Sequence, residues 1–388
     1  MGTVNRLFSI RFSLVSLLLI GLNLSCSLCK HSPSPPDALP ADSPANASYF
    51  VETEWVQLDN GLAEREAAPN SAARIRIWLT GEIHYGDLNY DRQKDAVVVL
   101  AYQGGGSGTF FYLAAALYEN EGFSGKNSIL LGDRVSSPAA EVQNGLITVT
   151  YLDRRRDESM ATAPSQEQKR YFIMSDSRLQ EIYTAADEAV YQGWLTIGHE
   201  VRSFLPCSES EELWLLGKSP ALETITSAYG KATAGLPPYT PVFALLAGTE
   251  SASPETGFGT DYRVSLSATR LIRLWLQGNC RSDFISLDTP LPGATVSSPI
   301  TIKGQARGTW FFEGDFPVVL LDAQGREIAS GYASAQGEWM TEDFVRFEGS
   351  IPFNSTLSGQ QGFLVLKKDN PAGLVQFDDA LKIPVKLK

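Results

Sequence analysis

Histidine and cysteine are scarce in this chain. Three histidines and four cysteines in 388 residues exclude a scaffold held mainly by disulfides and leave little material for a zinc centre. His199-Glu200 opens a zinc-protease motif, but Ser203 stands where its second histidine would fall. Basic residues are also few: 32 Lys and Arg against 44 Asp and Glu give a net charge of −12. That balance excludes a nucleic-acid binder, which needs a basic face. Long apolar runs are missing. The longest, Leu14 to Leu24, falls short of the ~20 residues that a spanning helix needs. The glycine-rich stretch Gly104-Gly-Gly-Ser-Gly108 carries no Gly-Lys-Ser/Thr for phosphate, and Thr109 spoils a Gly-x-Ser-x-Gly nucleophile.

What is present divides the chain into five parts. Residues 1–25 read as a signal peptide: Arg6 and Arg11, a short apolar core, then Ser25 before Cys26. A cysteine at the cut resembles a bacterial lipoprotein signal, although Asn23 stands where leucine is usual. The resemblance implies lipid attachment at Cys26, and so a protein outside the cytoplasm held to the bacterial membrane at the periplasm, outer membrane or cell surface. Residues 26–48 are rich in proline and serine and form an extended tether.

Residues 49–185 alternate short apolar runs with turn chemistry, as in an antiparallel β domain. Asn144-Gly145 is a two-residue hairpin signal. Phe110 to Tyr118 suits a fully buried strand as well as a helix. Asp87, Asn89, Asp91 and Asp95 put oxygen side chains at relative positions 1, 3, 5 and 9, the spacing that turns alternate oxygens toward one calcium ion. The loop resembles those of integrin-type propeller repeats and the first half of an EF-hand. Arg92 replaces the turn glycine and Val98 the final glutamate, which excludes an EF-hand and leaves weak calcium binding or a plain polar hairpin. No other cofactor is expected.

Residues 186–283 read as a small barrel-like β domain with one helix from Pro220, similar to β-barrel domains of envelope lipoproteins. Cys207 and Cys280 are the pair left for a disulfide outside the cytoplasm once Cys26 and Cys29 lie at the membrane end.

Residues 284–388 hold about seven short apolar segments separated by turns, among them Asp322-Ala-Gln-Gly325. Ser286 to Pro299, Lys303 to Glu313, Gly337 to Phe344 and Lys368 to Gly373 resemble, in order, the immunoglobulin-like domain of bacterial spore germination proteins. The resemblance implies an extracytoplasmic β-sandwich without known catalysis. The whole is thus a mainly β, multi-domain protein that binds or builds at the cell envelope, partnered by the membrane through its lipid and by an envelope protein or cell-wall component. Two alternatives compete. Trp310, Phe311 and Trp339 read first as core anchors, and they form an aromatic platform for glycan or peptidoglycan only if strand alternation points rings outward. A hydrolase needs two close carboxylates in a cleft, one with a raised pKa.

Overall fold

The computed structural model describes residues 42–388 apart from 210, 217–219 and 355–358. Cys26, the signal peptide and most of the tether lie outside the described residues. The mainly β reading holds. The N-terminal module contains β1 (Ser48–Val51), β2 (Glu54–Gln57), β3 (Leu62–Glu66), β4 (Arg74–Gly86), β5 (Asp95–Gln103), β6 (Phe110–Glu119), β7 (Gly122–Asp133), β8 (Ser136–Gln143), β9 (Leu146–Asp153), β10 (Gln166–Ser175) and β11 (Arg178–Ile182). The first seven form one sheet in the order β2-β1-β7-β6-β5-β4-β3, and the last four a second sheet, β11-β10-β9-β8.

β5 and β6 explain their own sequences. Ala96, Val98 and Leu100, with Ala114 and Ala116, face one core beneath Tyr49 and Leu58. Val97, Val99, Leu113 and Leu117 face another, shared with Phe172 of the second sheet. A strand buried on both faces has no polar positions to alternate with, so its sequence is continuously apolar. For this reason Phe110 to Tyr118 is strand and not helix. Folding starts earlier than the expected tether end at residue 48. Pro44–Asn46 form a 3-10 turn capped by Ser43, Ala45 is buried, and the Tyr49 hydroxyl donates to the Pro44 carbonyl at 2.8 Å.

The middle module is a closed barrel, β12-β13-β14-β16-β15, made of β12 (Ala189–Ile197), β13 (Arg202–Pro206), β14 (Leu213–Leu215), β15 (Val242–Ala252) and β16 (Val264–Trp275). Helix α1 (Pro220–Ala232) turns Leu222, Ile225 and Tyr229 into the barrel core, a spacing that lies along one helix face. Alternation on the walls serves two cores. Leu195, Val242 and Ala244 point inward, whereas Trp194 and Phe243 join the core of the C-terminal module. Leu245 packs with Leu146, Tyr171 and Ile182 of the N-terminal module. Each large side chain buried between modules stabilises their contact by roughly 2–3 kcal/mol. Cys207 and Cys280 form a disulfide with Cα atoms 5.4 Å apart. It ties the end of β13 to the segment leading out of the barrel.

The C-terminal module comprises β17 (Ile285–Thr289), β18 (Thr295–Val296), β19 (Ile300–Arg307), β20 (Asp315–Asp322), β21 (Glu327–Ala335), β22 (Phe344–Ile351), β23 (Gln361–Lys367) and β24 (Ala380–Leu387). They form one ladder, β17-β19-β22-β21-β20-β23-β24-β18, wrapped around a single core that includes Trp310, Phe316 and Phe347. The Asp322 turn is as expected. Gly325 has φ 77°, and the Asp322 carboxylate accepts from the Gln324 and Arg326 amides at 2.9 Å each.

Candidate functional site

The Asp-rich loop joins β4 to β5, and its oxygens converge. Atoms of the Asp87, Asp91 and Asp95 carboxylates lie within 4.8 Å of one another. Each already has a structural partner. Asp87 accepts from the Asp91 and Arg92 amides at 3.1 and 2.8 Å. Asp95 accepts from Leu88 and Tyr118, both at 2.9 Å. Asp91 accepts from the Gln93 amide and from Asn89 Nδ2, both at 2.8 Å. Asn89 Oδ1 accepts from the Asp91 amide at 3.1 Å. The spacing that suits an ion thus also suits a loop that caps its own backbone donors.

Asp87 and Asp95 are 7% and 0% exposed. Burial pushes their carboxyls up to about 6 and about 7, against the pull of those amides and with help from the neighbouring acids. Arg92 makes the sharp turn without glycine, at φ 72°, and Tyr90 sits at φ 66°. Side chains pay about 1 kcal/mol or more for such angles, so tertiary contacts must hold them.

Those contacts come from all three modules. The Tyr90 ring lies against Trp275 of the barrel at 5.4 Å, with the Arg273 guanidinium 4.6 Å from its centroid. Its hydroxyl donates to the Asn144 carbonyl at 3.0 Å. Arg307 of the C-terminal module reaches the Arg92 carbonyl at 3.4 Å, the Asp283 carbonyl at 2.7 Å and the Glu342 carbonyl at 3.1 Å. Lys94 pairs with Glu342.

The tip of the β8–β9 hairpin lies at the centre. Asn144 and Gly145 take φ 49° and 75°, as a two-residue turn of this kind requires. Glycine is needed at 145 for a second reason: a Cβ there would stand 2.4 Å from the Tyr90 hydroxyl oxygen. Asn144 is 1% exposed and fully partnered. Its amide donates to Asp283 Oδ2 at 2.6 Å, its Nδ2 to Gln192 Oε1 at 3.3 Å, and its Oδ1 accepts from Ser282 at 3.2 Å. Gln192 Nε2 donates to the Gln143 and Asn144 carbonyls at 3.1 and 3.2 Å. Asp283 Oδ1 accepts the Asp87 amide at 3.1 Å. Burial pushes the Asp283 carboxyl up, opposed by the two amides and by the Arg307 charge.

The aromatic platform needs correction. Trp310 and Phe311 are 1% and 5% exposed, and half-buried Trp339 packs against the same core. Gly308–Trp310 is a 3-10 turn, so strand alternation does not apply and both rings turn inward. Phe312 is the exposed member of the run. The close acids with raised carboxyls are Asp87 and Asp95, sealed at the junction. His199 lies exposed in the β12–β13 turn, 3.9 Å from Glu200. The junction residues Gln192, Asp283 and Arg307 carried no local signal in the sequence. Asn144 carried one only for its turn.

Residues 284–373 match the family model of the immunoglobulin-like domain of bacterial spore germination. The C-terminal module is thus similar to that family's domain over this span, and β24 extends its sheet beyond the matched residues. Comparison with curated proteins gave no match.

Proposed function

We propose that this protein is a non-enzymatic envelope lipoprotein, anchored outside the cytoplasm through Cys26, that holds three β modules as one rigid binding or structural body. The junction is the observation that carries this reading. There the Asp283 carboxylate accepts two backbone amides of the N-terminal module, Asp87 and Asn144, and Arg307 of the C-terminal module reaches the Asp283 and Arg92 carbonyls, contacts that hold the modules in one arrangement. The disulfide suits an oxidising compartment, and the C-terminal family is of the binding or structural kind. Among the described residues no helix is long and apolar enough to cross a membrane; the lipid at Cys26 supplies the attachment, and an envelope protein or cell-wall component is the partner. Fractionation of expressing cells tests it. The protein should follow the membrane and resist salt extraction, and Cys26→Ser should release it on the far side of the inner membrane. A product retaining its leader in the cytosol would refute it.

A second reading is weak calcium binding by Asp87, Asn89, Asp91 and Asp95, supported by three carboxylates within 4.8 Å. One lone pair remains on each carboxylate oxygen after its amide bond, so the donors fit an ion completed by water. Calorimetric calcium titration should show binding that Asp91→Ala abolishes; flat traces for both proteins would end the idea.

A further inference from the structure

A cleft of about 370 Å³ separates the barrel from the C-terminal module, within the range that small ligands occupy. Its floor is the outer face of β12 and β13, with Trp194 and Ser203. Phe363 and Lys386, from β23 and β24, form the facing wall, while Tyr239, Tyr262 and Glu212 complete the lining.

The polar groups are organised. Ser203 is 1% exposed and lines the cleft beside Glu212 and Tyr262. Glu212 lines the cleft and is exposed to solvent. Partial desolvation beside the cleft walls pushes its carboxyl up, opposed by Ser203. The neighbouring Glu211 has an arginine, Arg263 at 3.0 Å; among the described residues no cation pairs with Glu212. Lys386 is likewise without a carboxylate among them. Its Nζ lies 3.4 Å from the Pro238 carbonyl and 5.8 Å from the Tyr239 ring centroid. The cleft thus presents one accessible carboxylate, one ammonium and several aromatic faces.

We propose that this cleft binds a zwitterionic ligand of the amino-acid or short-peptide class, its amine on Glu212, its carboxylate on Lys386 and an apolar side chain among the rings. Aromatic faces beside a carboxylate favour an organic cation, and the lysine across the cleft selects for a ligand that also carries negative charge. The inference rests on reading the protein as a binding module.

The test is calorimetric titration of the detergent-solubilised full chain with L-alanyl-L-phenylalanine, its N-acetyl derivative and its C-terminal amide. The free dipeptide should bind saturably. N-acetylation and Glu212→Gln should each weaken it roughly ten- to hundred-fold, the worth of one charge-assisted contact, and the two together no further. C-amidation and Lys386→Met should form a second such pair. The modified ligands probe the same contacts without altering the protein, so a misfolded variant leaves the test intact. No saturation with the free dipeptide at millimolar concentration overturns the proposal. So does equal affinity for the free and N-acetylated forms. Either result leaves membrane fractionation, and hence the anchored-scaffold reading, untouched.

Discussion

Replacing Asp283 tests how the modules are held. Its two carboxylate oxygens accept the Asp87 and Asn144 amides at 3.1 and 2.6 Å, while its main-chain carbonyl keeps Arg307. A side-chain change therefore removes two contacts and spares the third. Asparagine retains one acceptor and turns an NH2 toward the other amide. Leaving one buried N–H without an acceptor costs about 1–3 kcal/mol, partly offset because no charge is then buried. Asp283→Asn should lose about 2 kcal/mol, and Asp283→Ala, with both amides orphaned, about twice that. Urea unfolding followed by tryptophan fluorescence measures the total. Amide exchange at Asp87 and Asn144 localises it: a 2 kcal/mol loss corresponds to roughly thirty-fold faster exchange. Unchanged exchange at both amides, or an alanine variant no weaker than the asparagine one, would refute the reasoning.

The buried acids also predict a pH dependence in chelator-treated protein. A carboxyl that folding pushes up holds its proton more tightly in the native state. The stability it contributes is full below the ordinary aspartate range near pH 4 and is lost as pH rises toward about 7. For Asp95, raised to about 7, the loss is on the order of 4 kcal/mol, and Asp95→Asn should flatten the profile; a wild-type profile rising across this range contradicts the assignment. The disulfide spans 73 residues, and the double variant Cys207→Ser with Cys280→Ser should lose about 4 kcal/mol by chain entropy. Equal urea midpoints for the oxidised and variant proteins would count against that.

Much of the architecture was legible because it depends on chemistry a few residues long. The Asn144-Gly145 turn, the Asp322 turn and the doubly apolar β5 declare themselves through allowed backbone angles and burial period. The Asp87–Asp95 spacing showed that oxygens gather there, but not what they bind, since an ion and a set of backbone amides ask for the same geometry. Trp310 and Phe311 left both a core and an outward-facing reading open, because a three-residue 3-10 turn leaves almost no trace in composition. The sequence by itself determined the β character, the immunoglobulin-like end, the turns and the cysteine pairing. Only the tertiary structure decided that a hairpin tip would be the buried centre of three modules. The contacts responsible join Asn144 to a carboxylate 139 positions away and Asp87 to the same carboxylate 196 positions away, and no local pattern encodes which distant surfaces meet.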